Sequence, residues 1–301
     1  TVRSSPRRVR ISNFILERIE YKMSEYLMNL INDRATCRNF VDKEIPDDIL
    51  NMILSSACKS PSSRGFQTYS IIKIRDKEKL KKLVKLSRNQ KFIETAPISF
   101  LFCIDYRSIM RIREIEPFPC IETNKFSNFC MSLLDTAISA QTLCLTAESV
   151  GLKSVFVGNI INTLDQVSAL FEIPKYVLPA FLVTIGYPKG ITKPSKKYDS
   201  SILVHDEIYK DPEIDVLMNA YKTKGGDRLL GNNSELINRI YNTALKYHDA
   251  AYAEKCKDHI ERTGVISNLQ FWLGNYYLDE DDFLDMNGYR EFMIKQGFNW
   301  L

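Results

Sequence analysis

The sequence predicts a chain of mixed helix and strand up to about residue 205, followed by an all-helical extension. Three observations predict this. Short apolar runs such as Ile98-Ser-Phe-Leu-Phe-Cys-Ile104 are interleaved with segments of helical periodicity in the first part of the chain. After His205 only helical spacing remains. A composition of 45% hydrophobic and 26% charged residues leaves ample material for a buried core.

The elements follow in order. Met23 to Asp33 has helical periodicity, with Met23, Tyr26, Leu27, Leu30 and Ile31 on its apolar positions. Pro46 to Lys59 reads as a second helix, opened by a proline and two acidic residues as the dipole prefers. Ser60 to Thr68 is a loop of small and polar residues, and Tyr69 to Arg75 a strand. Lys77 to Ser87 is a basic amphipathic helix with a solvated face. Ile98 to Ile104 is apolar almost throughout, which implies burial on both faces. Asp105 to Ser127 mixes charges with Pro117, Phe118, Pro119 and Phe126 and reads as a long irregular segment. Asn128 to Val150 is a helix rich in small residues, stopped by Gly151. Lys153 to Ile160 is β-like, Leu164 to Phe171 a short helix, and Tyr176 to Ile185 a buried strand broken by Pro179. In the tail, Glu213 to Lys222, Ser234 to Arg262, Asn268 to Tyr277 and Tyr289 to Gln296 have helical spacing, with Ser234 as a cap. The tail aromatics, among them Tyr247, Phe271, Trp272, Tyr276, Tyr277, Phe283, Phe298 and Trp300, are assigned to core packing. Residues 1–22 are set apart as an arm, a cloning remnant or part of a transit-type sequence, with Met23 a natural alternative start. The remaining boundaries fall at 23–205 and 206–301.

The bulk numbers exclude several classes. A net charge of +4 is too small to imply nucleic acid without a localised patch. No apolar run approaches the length of a membrane span. The seven cysteines are odd in number, widely spaced and without a Cys-x-x-Cys. They suggest no disulfide frame, zinc site or cluster, and a reducing, intracellular setting is expected. With three histidines in the chain, a histidine-based metal centre is not expected. No phosphate-binding glycine motif follows a strand, and no nucleophile elbow or thiol triad is readable.

What remains is a set of polar loops at the ends of apolar elements. Arg34-Ala-Thr-Cys-Arg-Asn-Phe40 is the densest, with two guanidinium groups on either side of the Thr36 hydroxyl. Arginine pairs with phosphate in a bidentate way, and a hydroxyl adds a directed hydrogen bond. Alone, the stretch reads as a solvated basic turn ahead of an anion grip.

The order of these loops resembles the FMN-dependent nitroreductase family. Four stretches carry the likeness. Arg34 to Phe40 is similar to the family's Arg-x-Ser/Thr-x-Arg/Lys-x-Phe. Ser60-Pro-Ser-Ser-Arg-Gly-Phe-Gln-Thr-Tyr69 is similar to Ala-Pro-Ser-x-x-Asn-x-Gln-Pro-Trp. Ala137 to Val157 resembles the Ala-rich helix leading to Gly-Leu-Gly-Ser. Ile185-Gly-Tyr-Pro188 with Lys196-Lys197 resembles the closing Gly-Tyr-Pro and basic pair. The resemblance covers about residues 23–205. It implies an α+β fold, a central and mostly antiparallel sheet flanked by helices, to which this chain adds its helical C-terminal extension.

The resemblance also implies a site. FMN is the expected cofactor and NADH or NADPH the electron donor. Arg34, Thr36, Arg38, Lys196 and Lys197 would hold the phosphate, while Ser62, Gly65, Gln67 and Asn89 would meet the flavin edge. The backbone at Gly158 and Asn159 would face the flavin nitrogen that accepts hydride. Residues 105–127 would form a lid, with Phe118 and Phe126 toward the substrate. The implied activity is transfer of hydride through FMN to a nitroaromatic, quinone or similar small acceptor, in a ping-pong cycle. The implied state is a cytoplasmic homodimer without nucleic acid, membrane or metal, with the small residues of Asn128 to Val150 at the dimer core. Two other readings fit the same motifs: a flavoenzyme with a dedicated substrate, for reductive dehalogenation or oxidation of a peptide-derived substrate, and a flavin-binding protein that recruits a partner. Some positions depart from the pattern: Gly65 replaces the usual Asn, Thr68-Tyr69 replaces Pro-Trp, Lys153 and Asn159 occupy common Gly positions, and Ala35 replaces a polar residue.

Overall fold

The structure is a computed structural model and describes residues 24–119, 123–226, 230–231, 233–275 and 286–300. The expectations made for residues 1–23, Cys120, Tyr276, Tyr277 and Phe283 lie outside the described residues. The chain divides into two units, one formed by residues up to Pro194 together with those from Met286 onward, the other by Ser195–Asp285. The division comes earlier than the boundary read at 205, and the last residues of the chain belong to the first unit instead of to a separate tail.

In the first unit four strands form one antiparallel sheet: β1 (Tyr69–Ile74), β2 (Ile98–Asp105), β3 (Lys153–Val157) and β4 (Val177–Gly186), in the order β1-β2-β4-β3. The helices are α1 (residues 24–33), α2 (Asp47–Ala57), α3 (Lys77–Leu86), α4 (Phe92–Thr95), α5 (Arg107–Ile115), α6 (Phe126–Ser149) and α7 (Leu164–Leu170). Seven of the eight β2 residues are buried, as its apolar run requires, because helices cover both sheet faces. On one face Phe100, Phe102, Val183 and Ile185 pack with Leu50 and Ile53 of α2 and Ala140, Leu143 and Ala147 of α6. On the other, Leu101, Cys103 and Leu182 pack with Leu80 and Leu83 of α3 and Val167 of α7. Each such large apolar side chain contributes about 1.5–3 kcal/mol on burial.

Local chemistry sets the ends. Asp76 caps α3 by accepting from the Lys79 N–H at 2.9 Å. Gly151 takes φ +77° after α6, and the Leu152 N–H returns to the Ala147 carbonyl at 3.0 Å. Gly186 is required by close approach, since a Cβ there would stand 2.8 Å from Phe40 and Pro97. Pro179 does not break β4. The register shifts between Phe102 and Cys103, which absorbs one residue of β4 as a bulge. β3 pairs with β4 no further than Leu182, so no strand of that side needs the N–H that Pro179 lacks.

Two segments differ from the sequence reading. Residues 107–115 form α5 instead of an irregular stretch; just ahead of it the Asp105 carboxylate accepts from the Arg107 N–H at 2.8 Å. The helix α6 starts at Phe126, two residues early. It is long and apolar enough to cross a membrane by length and composition. Its buried residues nonetheless include Ser132, Asp135, Thr136 and Ser139, on one stripe at helical spacing.

The second unit contains α8 (Ser200–Leu203), α9 (Ile214–Tyr221), α10 (Ser234–Tyr247), α11 (Ala250–Thr263) and α12 (Asn268–Asn275), with a two-residue strand pair, β5 (Leu230–Gly231) and β6 (Val265–Ile266). The segment Ser234 to Arg262 is two helices, because Asp249 caps a new start by accepting from the Tyr252 N–H at 2.8 Å. Asn233, not Ser234, caps α10, accepting from the N–H groups of Glu235 and Leu236. Ile237, Ile240, Ile260 and Ile266 form its core.

The chain then returns to the first unit as α13 (Met286–Lys295). The Tyr176 N–H donates to the Gln296 carbonyl at 2.8 Å, and Phe298 is buried with its ring edge-on to Tyr106. The Trp300 ring stands 4.6 Å from that of Phe129 and 5.1 Å from that of Phe126. These two tail aromatics serve packing, as their residue types suggest. Trp272 and Tyr247 in the second unit are exposed instead.

Candidate functional site

The stretch 34–40 is held by its backbone. Thr36 forms a parallel bridge with Ser154 on the free edge of β3, and the Cys37 N–H donates to the Ser154 carbonyl at 3.0 Å. Phe40 bridges Pro188, and the Val41 N–H donates to the Tyr187 carbonyl at 2.9 Å. Ala35, Cys37 and Phe40 therefore point into the core, leaving Thr36 and Arg38 exposed and Arg34 half-buried. Behind Arg34, Glu148 is nearly buried and ion-paired with Lys153. Burial pushes the Glu148 carboxyl up, an effect opposed by Lys153 and Arg34. Three buried polar atoms here have no partner among the described residues, Arg34 Nε, Glu148 Oε1 and Ser154 Oγ. Buried polar groups are nearly always satisfied, so an orphaned guanidinium donor beside an exposed hydroxyl and a second guanidinium is a donor set suited to an anion.

Gly158 directly follows β3 and starts the turn Asn159–Thr163. It is exposed, with no atom within 4 Å of where a Cβ would be. Gly158 lies four residues beyond Ser154, just past the end of β3, so the Thr36 bridge and this turn both belong to β3 and its end. Asn89 is exposed in the turn after α3, at φ +55°. The Leu86 carbonyl beside it accepts from the Thr163 hydroxyl at 3.0 Å, which ties that turn to the one after Gly158.

The loop 60–68 is held in the opposite way, by side chains of the polar stripe on α6. The Ser63 N–H donates to both Asp135 oxygens, at 2.9 and 3.1 Å. The Ser60 hydroxyl donates to Thr142 at 2.7 Å, and the Thr68 hydroxyl to Ser132 at 2.7 Å. The Ser139 hydroxyl donates to the Ala57 carbonyl at 3.1 Å. Tyr106 closes the network, its hydroxyl 2.7 Å from that of Ser132 and donating to the Asn128 carbonyl at 3.0 Å. Burial raises both the Asp135 and the Tyr106 pKa, opposed respectively by the Ser63 N–H and by the Ser132 hydroxyl. The small residues of α6 thus grip their own chain. Its outward face carries large apolar residues, including Met131, Leu133, Leu134 and Ile138.

Within the loop, the Gln67 side-chain amide donates to the Cys58 carbonyl at 2.8 Å, and the Ser62 hydroxyl accepts from the Gln67 N–H at 3.3 Å. Part of their bonding capacity is therefore spent inside the loop. Arg64 and Gly65 are both at positive φ, +54° and +70°. For a non-glycine residue that conformation stores strain, a feature that clusters at ligand sites.

Between this loop, α5 and the start of α6 is a cavity of about 860 Å3. Its walls include Phe66, Ile109, Ile112, Phe118 and Met131, its polar lining Ser63, Thr68, Tyr106, Asn128 and Ser132, and its cations Arg64 and Lys125. Gly65 and Phe118 are among its lining residues. Phe126 is not among the lining residues and packs on Phe129 and Trp300. Nor are Arg34, Thr36, Arg38, Asn89 or Gly158 among them. Within one chain the expected site residues thus fall into two groups, one along the β3 edge and one around the cavity. Lys196 and Lys197 belong to the second unit and are exposed. Sequence reasoning missed Arg64, Tyr106, Lys125, Ser132 and Asp135. The one readable signal was the polar spacing Ser132, Asp135, Thr136, Ser139 within an otherwise apolar helix.

The chain is similar to several known proteins. The chain is 25% identical over 245 residues to an FMN reductase [NAD(P)H] of Bacillus subtilis (strain 168), covering 80% of this chain and 98% of that protein. It is 26% identical to an oxygen-insensitive NADPH nitroreductase of Salmonella typhimurium, over 82% of this chain and 94% of the relative. Among solved structures, B. megaterium NfrA1 superposes with a TM-score of 0.69 at 27% identity, covering 91% of this chain and 99% of that one. The NADPH:FMN oxidoreductase from Vibrio harveyi, complexed with NAD+, gives 0.61 at 26% identity, over 65% and 84% of the two chains. The model of the nitroreductase family matches residues 31–187, which contain the whole sheet, the basic stretch and the loop 60–68. The chain belongs to the nitroreductase family.

Proposed function

We propose that the protein is an NAD(P)H-dependent FMN oxidoreductase whose reduced cofactor passes electrons to a nitroaromatic, quinone or similar small acceptor. The observation that carries the cofactor reading is the donor set at the β3 edge. Arg34, with its buried Nε unclaimed, Thr36 and Arg38 match the charge and hydrogen-bonding capacity of a single phosphate. FMN supplies the chemistry when bound, accepting and releasing hydride. The chain's own residues bind and orient. Arg34, Thr36 and Arg38 neutralise the phosphate, and the backbone at Gly158 and Asn159 offers hydrogen bonds along the same edge. Ser62, Gly65, Gln67 and Asn89 are assigned to the flavin edge, and Lys196-Lys197 to the phosphate, by resemblance alone.

The acceptor occupies the cavity beside Phe118, with α5 as the wall that limits water. Each complete site combines the β3 edge of one chain with the cavity of a second copy, a reading supported by the absence of Arg34, Thr36, Arg38 and Gly158 from that cavity's described lining residues within one chain. The apolar residues left outside α1 and α6, such as Ile31 at 48% and Leu134 at 54% exposure, suit the surface such a homodimer would bury. A reducing compartment, the cytoplasm, is the setting this reading implies.

The test is a spectrum. Purified protein supplemented with FMN should show flavin absorbance that NADH or NADPH bleaches under anaerobic conditions. A colourless protein that takes up no added FMN would contradict the reading.

A further inference from the structure

We infer that the 860 Å3 cavity selects acceptors that join an aromatic ring to an anionic group, with Arg64 and Lys125 reading the anion. The inference rests on the flavin reading above and extends it to the substrate class. The cavity's apolar surface, Phe66, Phe118 and Met131 among it, suits a flat ring, which alone carries no preference for charge. The charged lining decides that preference. Two cations line the cavity, and no carboxylate is among its described lining residues.

Two acids on the elements flanking the cavity are engaged elsewhere. Asp135 is buried and turned to the Ser63 N–H, and Asp105 accepts from the Arg107 N–H. No ion pair of Arg64 occurs among the described residues. Its backbone sits at φ +54°, within a loop anchored by Asp135, Thr142 and Ser132, so the base of this side chain is fixed. A guanidinium fixed at its base beside an apolar wall favours a carboxylate, sulfonate or phosphate over a neutral group of the same shape.

4-Nitrobenzoate is the probe, with methyl 4-nitrobenzoate as its neutral counterpart. The overall reaction balances: the nitro compound, NAD(P)H and one proton give the nitroso compound, NAD(P)+ and water. The nicotinamide loses two electrons as hydride. One N–O bond of the nitro group breaks, and its oxygen leaves as water with a proton from solvent.

An anion could also come from the donor's pyrophosphate, so the two half-reactions are measured separately on the FMN-loaded protein by stopped flow. In Arg64→Gln, and more strongly in R64Q/K125Q, the ratio of second-order rate constants for nitrobenzoate over its ester should fall tenfold or more. Arg64→Lys should restore most of it. In the unmodified protein, raising salt from 20 to 300 mM should slow the nitrobenzoate reaction and leave the ester within twofold, a readout that needs no variant. A ratio unchanged within twofold, or a loss confined to the NADPH half-reaction, would overturn the inference. A protein whose flavin NAD(P)H does not reduce would instead overturn the parent reading, and this one with it, before any acceptor is added.

Discussion

The stretch 34–40 and the loop 60–68 were both expected to hold the same ligand, and they are built on opposite plans. The first is pinned by backbone hydrogen bonds to a sheet edge, which frees Arg34, Thr36 and Arg38 to project. The second is pinned by side chains of α6, which grip its backbone and hydroxyl groups from behind. A backbone-pinned stretch carries its chemistry in its own residue types. A side-chain-pinned loop owes its shape to residues far away in sequence, so its behaviour is decided at Asp135 as much as at Ser62 or Gly65.

That contrast can be broken from either side. The largest effect is expected at the basic stretch. Replacing Arg34 and Arg38 together by Ala should raise the FMN dissociation constant by two orders of magnitude or more, since each charge-assisted contact contributes about 1.5–3 kcal/mol. Fluorescence titration reads this directly, and an affinity within threefold of the original would remove both residues from the phosphate. Next comes Asp135→Ala, which leaves the Ser63 N–H without its acceptor, a loss of about 1–3 kcal/mol. It should weaken FMN about tenfold and lower Tm, although Asp135 is nowhere assigned to touch the flavin. Unchanged FMN affinity would show that the loop holds its shape without the stripe.

Asp135→Asn sharpens the same point through pH. Burial raises the Asp135 carboxyl above its ordinary 3.8 in the folded chain. The folded state then binds the proton more tightly than the unfolded state, so this group's contribution to stability falls as pH rises through that window. The amide keeps an acceptor oxygen without the charge. The Tm of Asp135→Asn relative to the parent should therefore climb as pH rises above the ordinary carboxylate value and level off once the raised folded-state value is passed. A difference independent of pH would contradict the assignment. The smallest effect is chemical. Burial pushes the Cys103 and Cys144 thiols up to about 12 and about 11, whereas Cys58 is exposed. Among these three, iodoacetamide should label Cys58 first, as peptide mass spectrometry would show; early labelling of Cys144 would mean that the α6 packing opens readily.

The strands were legible because their signals are local. Ile98 to Ile104 is apolar whatever surrounds it, and β2 covers it. Arg34 to Arg38 stood out by residue type, but alone the stretch favours a solvated basic turn, and only the order of the other loops turns the reading toward a phosphate. Residues 105–127 misled because their charges and prolines hide a nine-residue helix whose first N–H bonds to Asp105, the last residue of the preceding strand. The small residues of α6 pointed to a close neighbour, but the neighbour is the loop 57–68 of the same chain. Only the fold brings Ser132, Asp135 and Thr142 against that loop, so their roles could not be read in advance. The return of Phe298 and Trp300 to the first unit is of the same kind, a long-range contact between residue types that signal only burial.

The central claim is that each site takes its basic stretch from one chain and its side-chain-pinned loop from a second copy. A mixed dimer tests this most directly. An R34A/R38A chain and a D135A chain, separately tagged and purified as the heterodimer, place both defects in one site and leave the other intact. The account predicts one FMN bound per dimer with the affinity of the unmodified protein and one bound far more weakly. Two weakened sites, with none of the original affinity, would mean that both groups come from the same chain, and would contradict it.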